Sequence, residues 1–101
     1  MTEIVNGLAA TPTRKALLRA VAYDAGRISY DPNEGVVWDH TAGVQVTARC
    51  KELVRAGWIR ALTPEEPRGP GEHKFRTYYR LNNFGRVALG HGSSSEEKSN
   101  G

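Results

Sequence analysis

The chain has 101 residues, 39% of them hydrophobic and 25% charged, with 14 Lys and Arg against 11 Asp and Glu, the arithmetic of one small soluble domain. Such a chain buries only about 60–65% of the surface its unfolded form exposes, enough for one modest core and not for a core plus a deep substrate cavity. Its single cysteine, Cys50, excludes an internal disulfide and a Cys-based zinc site and suits a reducing cytosol. No apolar run approaches the roughly 18 residues that span a bilayer, and the N-terminus lacks a signal-peptide pattern, so a cytoplasmic location without a membrane partner is expected.

Residues 1–10 show neither a helical nor a strand period and are expected to be a flexible N-terminus. Thr11-Pro12-Thr13 opens a helix, with a hydroxyl at the cap and a proline where no donor is missed. Ala16, Leu17, Ala20 and Val21 form its apolar stripe, widened by Leu18, while Arg14, Lys15 and Arg19 face water and Gly26 supplies a left-handed end. Ile28-Ser29-Tyr30 and Val36-Val37-Trp38 flank Asp31-Pro32-Asn33-Glu34-Gly35 and predict a hairpin. Asp39 to Gly43 is a loop or single turn.

From Val44 the period turns helical, with Val46, Cys50, Leu53 and Val54 on one face and Gly57 as the stop. Trp58 to Leu62 and Phe75 to Leu81 alternate as strands around a Pro/Gly-rich tip, Thr63 to Lys74, that cannot hold a regular ladder. Asn82 caps a last short helix that turns Phe84, Val87 and Leu89 to the core. Residues 90–101 are too polar to join a core and are expected to be a disordered tail, which leaves residues 11–89 as the domain.

Charge is unevenly spread: residues 1–44 carry 4 basic and 5 acidic side chains, residues 45–86 carry 9 and 4, and residues 87–101 carry 1 and 2. Ten of the basic residues are Arg, which fits either a GC-rich genome or the better phosphate and guanine ligand. At about 100° per residue, Cys50, Leu53 and Gly57 stay close to Val46, whereas Ala48, Lys51 and Arg55 lie opposite, flanked by Gln45 and Glu52.

The element order resembles the winged helix-turn-helix superfamily, an α+β fold. Val46-Thr47-Ala48-Arg49-Cys50-Lys51-Glu52-Leu53-Val54-Arg55-Ala56-Gly57-Trp58-Ile59 resembles the recognition helix and first wing strand of small MarR- or PadR-type regulators. Tyr79-Arg80-Leu81-Asn82-Asn83-Phe84-Gly85-Arg86-Val87-Ala88-Leu89 is similar to the segment after the wing. The chain departs from the family between Arg27 and Gly43, where a β-hairpin replaces the short helix that packs before the recognition helix.

The resemblance implies sequence-specific binding of double-stranded DNA and transcription regulation in a bacterium, phage or other mobile element. The recognition helix would enter the major groove, and a basic wing would lie on the backbone or in the minor groove. Gln45, Ala48 and Arg49 are then candidates for base contact, and Thr47, Lys51 and Arg55 for phosphates. Arg68, His73, Lys74 and Arg76 are the wing candidates, and Arg60 and Arg80 either extend the patch as cross-strand neighbours or face solvent. The competing readings are a solvated helix face with Glu52 pairing nearby cations, and a solvated loop diluted by Glu65, Glu66 and Glu72.

Trp38, Trp58, Tyr30, Tyr78, Tyr79, Phe75 and Phe84 suit core or half-core packing better than base stacking. His40, His73 and His91 stand apart, so no metal site is expected, and Cys50 reads as a small core residue. Without a Gly-rich phosphate loop or a Ser/His/Asp set, neither a cofactor nor an enzyme is expected. The chain has no length for the long terminal helices through which MarR- and PadR-type proteins pair, so a monomer or weak homodimer is expected, with a second protein as a further partner. The alternative function is a winged-helix protein–protein interaction module without DNA contact.

Overall fold

The structure, a computed structural model, describes residues 2–90. The expected disordered tail, Gly90 apart, and His91 lie outside the described residues. Two short strands, β1 (Ile4–Val5) and β2 (Leu8–Ala9), precede α1 (Pro12–Tyr23). Then come β3 (Ile28–Asp31), β4 (Val36–Asp39), β5 (Val44–Gln45), α2 (Thr47–Arg55), β6 (Ile59–Ala61), β7 (Thr77–Leu81) and α3 (Asn83–Leu89). The result is an α+β fold with a five-stranded antiparallel sheet in the order β5-β4-β3-β7-β6. No helix among the described residues is long and apolar enough to cross a membrane.

Strand register decides where the core sits. Tyr30 pairs with Val37 and Thr77, Tyr79 with Ala61, and Leu81 with Ile59, and side chains that alternate by two share a face. That face, with Ile28, Val37, Ile59 and Tyr79, meets Leu17 and Leu18 of α1, Cys50 and Leu53 of α2 and Ala88 of α3 in one core. The opposite face carries Ser29, Trp38 and Tyr78, with Arg60 directly across from Arg80.

The N-terminal segment is structured where no element was expected. Asn6 and Gly7 both hold positive φ, 49° and 82°, and Asn-Gly is the pair that a two-residue hairpin turn favours. The turn delivers Val5 into the core and lets Asn6 Nδ2 donate to the Ala56 carbonyl at 2.7 Å. Strands of two residues are too short to show a period, so Asn-Gly was the only signal in the sequence.

Helix α1 opens as expected, with Thr11 Oγ1 accepting from the Arg14 N–H and Pro12 in the first turn. Its buried face is rotated, however: Leu17, Leu18 and Ala20 are covered and Ala16 is exposed. Arg14, expected in water, is half-buried and donates Nη1 to the Ala9 carbonyl at 2.9 Å.

Two further expectations are corrected. Val44 and Gln45 pair with Asp39 and Trp38 as β5 instead of starting the helix, because Asp39 Oδ1 accepts the N–H groups of Thr41 and Ala42 and Gly43, at φ 70°, closes a hairpin turn. In α3 the inward residues are Gly85 and Ala88, while Phe84 and Val87 are exposed and Leu89 is half-buried. A Cβ at Gly85 would overlap the Trp58 carbonyl, so only the small-residue face can approach this closely. Asn82 takes the N-cap position without a side-chain capping bond.

One ion pair ties α1's end to the sheet. Arg27 Nε and Nη2 donate to the two oxygens of Asp39 at 2.8 and 3.0 Å, and Nη1 donates to Asp24 at 2.9 Å. Asp39 is only 7% exposed, and the Arg27 hydrogen bonds hold its pKa below the ordinary 3.8. A carboxylate lowered in the folded state stabilises fully above its unfolded value and loses that contribution as pH falls through the folded value. Asp39→Asn is expected to lower stability by about 2 kcal/mol at neutral pH. Urea melts should then show the gap between variant and parent closing as pH drops below about 4.

Candidate nucleic-acid interface

Nine cations fall within residues 45–86, and carboxylates take up three of them. Glu52 Oε1 accepts from Arg49 Nη1 at 2.8 Å and from Arg14 Nε at 3.2 Å. Glu66 receives a two-pronged bond from Arg60, both prongs 2.8 Å. That contact, with the Thr63 N–H, pulls the Glu66 carboxyl down to about 2. Glu72 receives Arg80 the same way at 2.6 and 2.7 Å, with its side chain only 2% exposed. Arg60 and Arg80 are therefore cross-strand neighbours as expected, each neutralised by an acid that the sequence suggested would merely dilute the loop's charge.

The cations left without a carboxylate partner in this stretch, among the described residues, are Lys51, Arg55, Arg68, Lys74, Arg76 and Arg86. Lys51 and Arg55 are exposed on α2 together with Ala48, on the side opposite Cys50 and Leu53. Val54, expected inside, joins them at 42% exposure. Lys51, Val54 and Arg55 form one wall of an open groove of about 500 Å³, whose other wall is Tyr30, Val37, Ala61 and Tyr79 of the sheet.

The remaining helix candidates are placed less simply. Thr47 Oγ1 accepts the Val37 N–H at 2.9 Å, so its hydroxyl anchors α2 to the sheet and is not a free phosphate ligand. Gln45 is exposed beside the helix start, on β5 and not on the helix. Arg49 is 41% exposed and held by Glu52. With Thr13, Arg27 and Gln45 it lines a hollow of about 370 Å³ between α1 and the start of α2.

The connection between β6 and β7, expected as a flexible tip, is braced from within. Arg68 Nη1 donates to the carbonyls of Thr63 and Glu66 at 2.9 and 2.7 Å, and Nη2 donates to that of Arg76 at 2.8 Å. Arg68 thus fastens both legs of the loop and is not available as a wing ligand. Glu72 also accepts the Gly69 N–H, and the His73 N–H donates to the Tyr78 hydroxyl, both at 2.7 Å. A Cβ at Gly26 would overlap the Gly71 carbonyl, so the loop rests against the turn after α1. His73, Lys74 and Arg76 remain exposed.

Phe75 is 85% exposed, contrary to the expectation of core or half-core packing. Alternation along β7 suggested an inward ring, but the strand begins at Thr77 and Phe75 sits in a turn closed by the Arg76 N–H on the His73 carbonyl. The signal available in the sequence was its position between Lys74 and Arg76 at the end of a Pro/Gly-rich run. Trp58, Tyr78 and Tyr79 are buried and Tyr30 and Trp38 half-buried. Burial raises the Cys50 thiol to about 11, leaving it protonated and a poor nucleophile at neutral pH. His40 Nε2 lies 2.6 Å from Ser29 Oγ, and no group of three metal-ligating side chains occurs among the described residues.

No protein-family model matches the chain, and neither a curated protein nor a solved structure is significantly similar to it.

Proposed function

We propose that the chain is a winged-helix module that binds double-stranded DNA and serves transcription regulation, with α2 in the major groove and the β6–β7 connection as the wing. The observation that carries this is the residue of charge after pairing. Lys51 and Arg55 on α2 and Lys74 and Arg76 on the connection are exposed and, among the described residues, free of carboxylates. Element order and pairing support it: β3 lies beside β7 and β7 beside β6, α2 runs directly into β6, and the β4–β5 hairpin stands where the family has a short helix. Gln45 and Ala48 are the base-contact candidates that remain open at the helix start, and Arg49 joins them once it leaves Glu52.

The test is duplex binding over a salt series, using duplexes selected from a random pool. Four phosphate contacts give a log–log slope of about −3 to −4, near −0.9 each. Absence of any shift in the backbone amide resonances of residues 47–55 on adding such duplexes at low salt would exclude this mode. A protein-docking module without DNA contact is the alternative, favoured by the largely apolar groove between α2 and the sheet. Its signature is a protein partner bound with little dependence on salt.

A further inference from the structure

Phe75 is the most exposed large apolar side chain among the described residues, and it is not a frayed one. Arg68 clamps both legs of its loop to three carbonyls, and the neighbouring His73 N–H is tied to Tyr78. A ring presented on a braced turn loses little freedom when it is buried by a partner. Its flanking residues are Lys74, whose Nζ sits 5.5 Å from the ring centroid, and exposed Arg76. The nearby carboxylates Glu66 and Glu72 are occupied by Arg60 and Arg80.

The fully buried core of a protein–protein interface is depleted of charged residues. Phe75 is bracketed instead by two cations, which suits a target that offers an apolar slot between two rows of anions. The hollow beside it is lined by Leu62 and Thr77, which lie one residue from Ala61 and two from Tyr79, and those two line the groove with the Lys51–Arg55 face of α2. Thr77 and Tyr79 alternate by two on β7 and so share a face, which puts the end of the turn and the groove on the same side of the sheet.

Resting on the DNA-binding reading above, we infer that Phe75 is a wedge. It inserts between two base pairs in the minor groove flanking the stretch held by α2, while Lys74 leaves the ring and joins Arg76 on the adjoining phosphates. The step it opens is the one that unstacks most readily, a pyrimidine–purine step, so the wedge adds sequence preference at a position that α2 does not touch.

The experiment places 2-aminopurine at successive positions of a bound duplex and reads its fluorescence with end-to-end energy transfer. The parent protein is expected to raise fluorescence at one step and shorten the duplex ends. Phe75→Ala, a change outside the core, is expected to abolish both signals and weaken binding about tenfold, with the salt slope unchanged. Phe75→Leu, still an apolar wedge, should keep part of each. If the parent binds without a rise at any step, or Phe75→Ala keeps the rise and the affinity, the wedge is refuted while DNA binding stands. If the parent binds no duplex at any salt, the DNA reading itself falls and the wedge with it.

Discussion

Trp58→Ala is expected to cost about 3–5 kcal/mol, a large share of what holds a domain of this size folded. The indole is fully buried, the largest side chain of which this is true, and three segments meet on this one residue. Its Nε1 donates to the Val5 carbonyl at 3.0 Å, which pins the N-terminal hairpin. Its backbone N–H donates to Leu53 at the end of α2, and its carbonyl accepts the Asn82 N–H at 2.9 Å where α3 begins. Alanine leaves the backbone bonds possible but removes the volume and the Val5 contact together. Trp58→Phe isolates the second loss: most of the bulk remains, the Val5 carbonyl loses its donor, and a cost of about 1–2 kcal/mol is expected. Urea unfolding followed by circular dichroism checks both, and a cost below about 1 kcal/mol for Trp58→Ala would mean that the hairpin and α3 hold without the indole.

The same residue shows where the sequence was legible. A tryptophan next to Ile59 after a glycine stop marked the end of α2 and the start of β6, because Gly57 takes a positive φ of 76° that most side chains resist. Helix α1, the β3–β4 hairpin and the buried face of α2 through Cys50 and Leu53 follow from period and caps, which are local. Pairings between distant segments left no local trace. Nothing around Arg68 says that it will bind the carbonyls of Thr63, Glu66 and Arg76. Nor does charge counting say that Glu66 and Glu72 will each take a whole guanidinium on the outer sheet face. Val44 to Val46 fits a helical period as well as a short strand, and the hydrogen bonds of Asp39 to its own turn settle Gln45 on the strand.

Those pairings separate placed charge from net charge in the last expected result. Lys51→Ala, Arg55→Ala, Arg49→Ala and Arg86→Ala each remove one positive charge, so binding governed by net charge alone would weaken equally in all four. If α2's outer face is the contact surface, Lys51→Ala and Arg55→Ala each flatten the salt slope by about 0.9, and the double variant by about 1.8. Over a tenfold rise in salt, the affinity of the double variant then falls about 60-fold less than that of the parent. Arg86→Ala removes an exposed cation of α3, outside the proposed contact surfaces, whose side chain donates to the Asn83 amide oxygen. It frees no carboxylate among the described residues and should leave the slope unchanged. Arg49→Ala leaves Glu52 with Arg14 and should change the ranking of duplex sequences while keeping the parent's slope. An Arg86→Ala slope as shallow as that of Lys51→Ala would show that diffuse charge governs binding and would remove α2 from the interface.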